Sequence, residues 1–444
     1  MQINNVNSKP NFGRFYNISG EVEKNMIMNR AIIDVGGITP WILQTNNREE
    51  RKERIANLSI FFALAFLAPI VNVPLANRVA MKSVGLTKSF FANNHKAIQI
   101  SNEFLTDTKA MKTAFGTLQN EAKSSPFESL CRLVNGKKAP SLDIENLYKN
   151  AGSEEQLRQK LIKAKNGVLC SDLYITGITL GSLGFLNNYM TKKRSGKTGF
   201  SAELEMADEA LIAKRASGYE KNKYKRAAVL GAEIIAISTI VPLLVKKGLT
   251  SIKETKFNNY IKKNARWMDY TKGIYMKRLP LFMGMIMNVS GLLLASRNKT
   301  EFKDWSIRNG VTTPVFLGGD IVIGGLLANA SDKLLGTKIT DKTENPNLLR
   351  KIFPKTKSID QLSALCKTDE SLKTTRKAAT GIYWGNLALV SACLAYVVPY
   401  LCNKMIKTDV AKDVLKNQDK TTLNPLLFAK TPEVFQLLLK NKSA

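Results

Sequence analysis

Apolar residues along the chain are gathered into long runs separated by strongly charged connections. Residues 55–77 and 378–403 carry no charged side chain, and each run is closed on both sides by a base: Arg54 and Arg78, Lys377 and Lys404. Shorter charge-free runs cover 173–191 and 279–296. Runs 227–245 and 309–331 each hold a single acid, Glu233 and Asp320. A helix rises about 1.5 Å per residue, so roughly 20 apolar residues cross a bilayer core, and six runs come to about that length. A seventh, Met26–Gln44, is interrupted by Arg30 and Asp34. Buried helices of soluble proteins are usually shorter or keep a polar face, which most of these runs lack. The expected fold is all-α, a polytopic membrane helix bundle of six or seven spans.

The runs also resemble one another. Pro69, Glu233 and Asp320 each begin an apolar stretch that ends, 15 or 16 residues later, at Gly85, Gly248 or Gly336 behind a lysine. Lysine facing orphan carbonyls and glycine in the left-handed conformation are helix-ending chemistry. The other runs share Gly-plus-Asn endings, as at Gly184 with Asn187 and Asn188, and Gly291 with Asn298. This pattern predicts a helical hairpin repeated three times, over 24–78, 168–247 and 279–331, plus a last span at 378–405. The flanking segments read as a polar disordered tail (1–23), two basic amphipathic loop regions (79–167 and 332–377), a basic connector (248–278) and a basic C-terminal tail (406–444). In the first loop region, 154–165 is a short amphipathic helix with Leu157, Leu161 and Ile162 on one side, suited to the bilayer surface or to a small soluble lobe.

Composition changes the picture at one point. Lys and Arg total 66 against 36 acids, a net charge of +30 that first suggests nucleic acid. Placed along the chain, the charge falls almost wholly outside the apolar runs, on both sides of them. That makes anionic lipid headgroups at the basic loops the expected partner, with a protein partner or a second copy next and nucleic acid remote. Slightly more Lys and Arg lie on the side of connections 79–167, 246–278 and 332–377, which places that side and the N-terminus in the cytoplasm. No secretory signal is visible in the polar first 23 residues.

Motif chemistry is sparse. One histidine, His95, and five scattered cysteines without a Cys-x-x-Cys pair give no metal or disulfide framework, and no cofactor is implied. Ser195-Gly196-Lys197-Thr198 looks like the end of a phosphate-binding loop, but the required earlier glycine is Thr191. It reads as a basic loop beside the membrane. Gly177, Gly181 and Gly184, and Gly318, Gly319, Gly324 and Gly325, are expected to let helices approach closely. Pro69, Pro74, Pro242 and Pro399 are expected to kink or break helices. Glu233 and Asp320, at corresponding repeat positions inside apolar runs, are candidates for a cation or proton path. Asp34 and Asp172, at span ends, rank below them. No catalytic residue is indicated, so the expectation is a non-enzymatic membrane scaffold that binds lipids and partners; the alternative is a transporter or channel for a small solute or cation.

Overall fold

The computed structural model describes residues 12–87 (save 25 and 46), 102–106, 152–341 (save 207, 252, 266–267 and 272–274), 352–365 and 372–416. The fold is all-α, with 11 helices among the described residues. In chain order they are α1 (Phe12–Lys24), α2 (Met26–Gln44), α3 (Arg48–Ser83), α4 (Asn102–Thr106), α5 (Glu155–Ser195), α6 (Glu209–Thr250), α7 (Lys256–Lys263), α8 (Arg278–Ala295), α9 (Lys299–Leu335), α10 (Ile359–Leu365) and α11 (Lys373–Asp413). A two-stranded hairpin, β1 (Tyr270–Thr271) with β2 (Tyr275–Met276), joins α7 to α8. Four helices, α3, α5, α6 and α11, are long and apolar enough to cross a membrane. The 279–296 run forms the shorter apolar helix α8, and the runs at 26–44 and 309–331 are helical too. Of the expected six or seven spans, four are long apolar helices among the described residues.

Prolines do not break these helices. Pro69 and Pro399 each stand two residues beyond a π turn, Ala63–Leu67 in α3 and Cys393–Val397 in α11. A proline ring collides with the carbonyl four residues back and offers no N–H, and widening the preceding turn relieves both problems. A third π turn, Gly177–Gly181, lies in α5 and has no proline behind it.

The chain divides into two compact units, one of residues 1–45 and 306–405, the other of 46–305 and 406–444. These do not follow the hairpins read from the sequence, because α2 and α3 fall in different units. No repeat is shown among the described residues. Gly85 and Gly336 do end helices with φ of +69° and +63°, but Gly248 lies inside α6. A Cβ there would come within 2.5 Å of Ile261, so Gly248 serves the seating of α7 and not a cap.

In the first unit α2 packs along α11, where Gly36 and Gly37 meet Ser391 and Leu394. Residues 12–24 are helical where a disordered tail is expected. Ser19 of α1 is buried and accepts a 3.0 Å hydrogen bond from the Trp384 indole N–H. The Arg308 guanidinium stacks 3.6 Å over the Trp41 ring.

In the second unit α3, α5, α6 and α8 form a four-helix core, with α5 antiparallel to α3 and α6 and alongside α8. Met81, Leu161, Val168, Ile234, Val245 and Met287 fill it. The 154–165 segment is not a separate surface helix. It is the first three turns of α5, and its apolar side enters this core through Leu157, Leu161 and Ile162. Residues 406–416 are likewise helical, with Ile406, Val410 and Ala411 buried, where a tail is expected. In the regions 79–167, 332–377 and 406–444, residues 88–101, 107–151, 342–351, 366–371 and 417–444 lie outside the described ones.

Candidate functional site

One end of the second unit holds a buried network of charged side chains, built from element ends. Asn47 caps α3: its side-chain oxygen accepts from the Glu50 N–H at 3.0 Å, and its amide donates to the Ser201 carbonyl at 3.1 Å. This fixes the first turns of α3 and brings Glu53 inward. Arg297, in the turn between α8 and α9 and only 2% exposed, donates to both Glu53 oxygens, at 2.8 and 3.2 Å. The same guanidinium grips Glu301 at 2.8 and 3.0 Å, and the Arg297 backbone N–H adds a 2.6 Å bond. Thr191, from the end of α5, donates to Glu53 at 2.6 Å. All three nitrogens of the fork meet carboxylates, an arrangement an ammonium could not reproduce.

A second arginine extends the network. Arg215, on the first turns of α6, holds Glu203 through two bonds of 2.9 and 3.0 Å and also pairs with Asp413. Asn298 joins the halves: its oxygen caps α9 by accepting from the Glu301 N–H at 2.9 Å, and its amide donates to Glu203 at 2.9 Å. Thr300 accepts from Arg215 at 2.7 Å and donates to Asp409, which Lys303 pairs with at 2.8 Å. Burial alone would weaken the charged form of Arg297, but Glu301 and Glu53 more than reverse this and hold its pKa above its ordinary value. Burial raises the Glu203 carboxyl above its ordinary 4.5, with Arg215 opposing the shift.

The opposite end of the same four helices carries polar residues in a different arrangement. Arg158, Lys165 and Asp172 recur every seven residues along one side of α5, and all are buried. Arg158 donates to the carbonyls of Leu105 (2.6 Å) and Leu249 (3.1 Å), tying α4 and the end of α6 to α5. Lys165 pairs with Asp269 at 2.9 Å, and Asp269 also accepts from the N–H groups of Asn102 (2.8 Å) and Tyr270 (2.9 Å). Asp172, 2% exposed, accepts one 3.1 Å bond from the Asn72 amide of α3. The Tyr270 hydroxyl lies beside this carboxylate, and burial together with that negative charge pushes the phenol well above its ordinary range. Among the described residues no cation pairs with Asp172.

The residues singled out from the sequence fall elsewhere. Glu233, on α6, is half-buried and makes no hydrogen bond or ion pair among the described residues. Asp320 lies on α9 in the first unit, and its side chain is outside the described residues. The two acids therefore belong to different units. Gly177, Gly181 and Gly184 line the approach of α5 to α6 and α8. A Cβ at Gly177 would stand 2.8 Å from both Ile234 and Met287, and one at Gly291 would stand 1.8 Å from the Gly181 carbonyl. A Cβ at Gly318 or Gly324 would meet nothing within 4 Å, one at Gly325 would stand 3.4 Å from the Pro354 carbonyl, and Gly319 is not among the residues whose surroundings are described. Gly196 of the Ser195–Thr198 motif ends α5 with φ of +72°, its N–H bonded to the Lys192 carbonyl at 2.9 Å. Among the described residues no group of three or more His, Cys, Asp or Glu is arranged to hold a metal.

The ionic network was missed because its members read as loop charge. One signal was present: Arg297 and Glu301 stand four apart around Asn298, a helix-starting pattern just after an apolar run. The seven-residue recurrence of Arg158, Lys165 and Asp172 among apolar residues was a second. No family model, curated protein or solved structure matches the chain.

Proposed function

We propose that this chain is a multi-pass membrane scaffold whose folded core holds lipids and a protein partner, without catalysis. One observation carries the membrane reading. In α3 only 6% of the most apolar 18-residue window is buried inside the protein, and Leu67, Ile70, Val71 and Leu75 stand exposed along it. Water is a poor solvent for such a surface and hydrocarbon a good one. The scaffold reading rests on the buried charges, which are occupied with one another and with carbonyls at the helix ends, and on the glycine contacts that close the core of the second unit. Burial of that kind fixes a geometry.

One observation favours the transporter alternative: Glu233 stands in the apolar half of α6 with no partner among the described residues. Flux from reconstituted vesicles decides between them. The scaffold reading expects no cation or proton flux above that of protein-free vesicles, and the same baseline for Glu233→Gln and Asp320→Asn. Flux in the wild type that both substitutions abolish, with the protein still folded, would replace scaffold by transport.

A further inference from the structure

The end of the second unit that holds the ionic network separates its charges by depth. Five of its acids turn inward: Glu50, Glu53, Glu203, Glu301 and Asp304 are all buried. Its bases largely turn outward. Lys192, Lys193 and Arg194 are exposed at the end of α5, and Lys221 and Lys225 are exposed on α6. The outer surface is therefore far more positive than the local sequence, because the acids that would balance it face the core.

Two acids nearer the surface gather these bases into one belt. Glu220 pairs with Lys192 at 3.6 Å and with Lys223 at 2.9 Å, joining α6 to α5. Glu49 pairs with Arg194 at 3.0 Å and with Lys52 at 2.8 Å, joining α5 to α3. Bases from three helices thus lie side by side.

The belt's height on the molecule is set by its neighbours. Lys192 and Lys193 follow the last apolar turn of α5, whereas Lys221 and Lys225 precede the first apolar turn of α6. Tyr189 and Tyr224, at the same levels, are 63% and 81% exposed. Exposed tyrosines beside lysines at the end of an apolar helical stretch are the pattern of the headgroup layer, where an aromatic ring has apolar and wet neighbours at once.

Resting on the membrane reading above, we infer that this belt is a binding surface for anionic phospholipid headgroups, with Lys192, Lys193, Lys221 and Lys225 as the phosphate-facing donors. Charge complementarity selects the partner. A phosphodiester at this depth accepts hydrogen bonds from several ammonium groups at once, and a zwitterionic headgroup brings its own cation into the belt.

Native mass spectrometry of the full-length protein, carried from vesicles of mixed phosphatidylglycerol and phosphatidylcholine into detergent, tests this. The wild type retains phosphatidylglycerol in preference. Replacing the four lysines with glutamine lowers that retention by about tenfold or more, and replacing them with arginine keeps it. Added salt lowers retention in the wild type. A matched set at the other end of the unit, Lys247, Lys253, Lys256 and Lys263 changed to glutamine, lowers it by less. Equal losses from the two glutamine sets, no preference for the anionic lipid, or tight binding of a nucleic-acid duplex without lipid preference would each overturn the assignment. Flotation of the same vesicles separates a failure of the membrane reading, in which the protein does not float at all, from a failure of the belt.

Discussion

The two ends of the four-helix unit solve the problem of buried charge differently. At the Arg297 end every carboxylate named meets a guanidinium, an amide, an ammonium or a hydroxyl, and each guanidinium meets two carboxylates. At the Asp172 end the charges are spaced along one helix; Lys165 pairs with the buried Asp269, and Arg158 pairs only with the exposed Glu155. Arg158 spends its donors mainly on backbone carbonyls, and Asp172 has a single amide. The difference teaches where removal of one group strands another. Losing one member of a reciprocal network leaves uncompensated buried charge; losing a carboxylate that faces no cation strands no charge.

The contrast can be broken most directly at Arg297. Arg297→Met removes the only guanidinium between Glu53 and Glu301, and the loss of stability expected is about 3–5 kcal/mol. Thermal unfolding in detergent reads it, and a loss below about 1 kcal/mol would show that the network adds little. A middle effect is expected at Glu203. Its carboxyl is raised by burial, so the stability it contributes is full below the ordinary value of 4.5 and declines as pH rises through the raised value. The cost of Glu203→Gln is therefore largest at acid pH and shrinks toward neutral pH. Unfolding curves for both proteins across that range check the sign, and a cost that grows with pH contradicts it. The smallest effect belongs to the other end. Asp172→Asn keeps an oxygen to accept from Asn72 and leaves no cation unpaired, so a change within about 1 kcal/mol is expected. A loss as large as that of Arg297→Met would mean that the two ends are alike after all.

The long helices were legible in the sequence because length and lack of charge are local properties. The 55–77, 173–191, 227–245 and 378–403 runs reappear inside α3, α5, α6 and α11. Glycine at a helix end was legible at Gly85 and Gly336, where the chain turns, and misleading at Gly248, where it does not. A lysine followed by glycine is the same local signal in all three places; only the approach of α7 to α6 decided that the third would stay helical. The same limit explains the short segments. Leu157, Leu161 and Ile162 make an amphipathic pattern wherever that helix lies, and whether its apolar side meets lipid or protein depends on what packs against it.

The acids show where sequence reasoning lost its hold. Glu233 and Asp320 stood out because they interrupt long apolar runs, and Glu53, Glu203 and Glu301 did not, because they lie outside those runs in charge-bearing segments. Yet burial follows from the whole fold, not from neighbours in the chain. Glu53 and Arg297 are 244 positions apart in sequence and share two hydrogen bonds. By itself the sequence determined that the chain is helical, that its apolar length sits in a few long helices and that its positive charge lies outside the apolar runs. Which charges face each other, and hence which acids turn inward and which lysines are left on the surface, was decided by tertiary structure alone. Side-chain pairing acts over a few ångströms of space, and only folding brings distant residues that close.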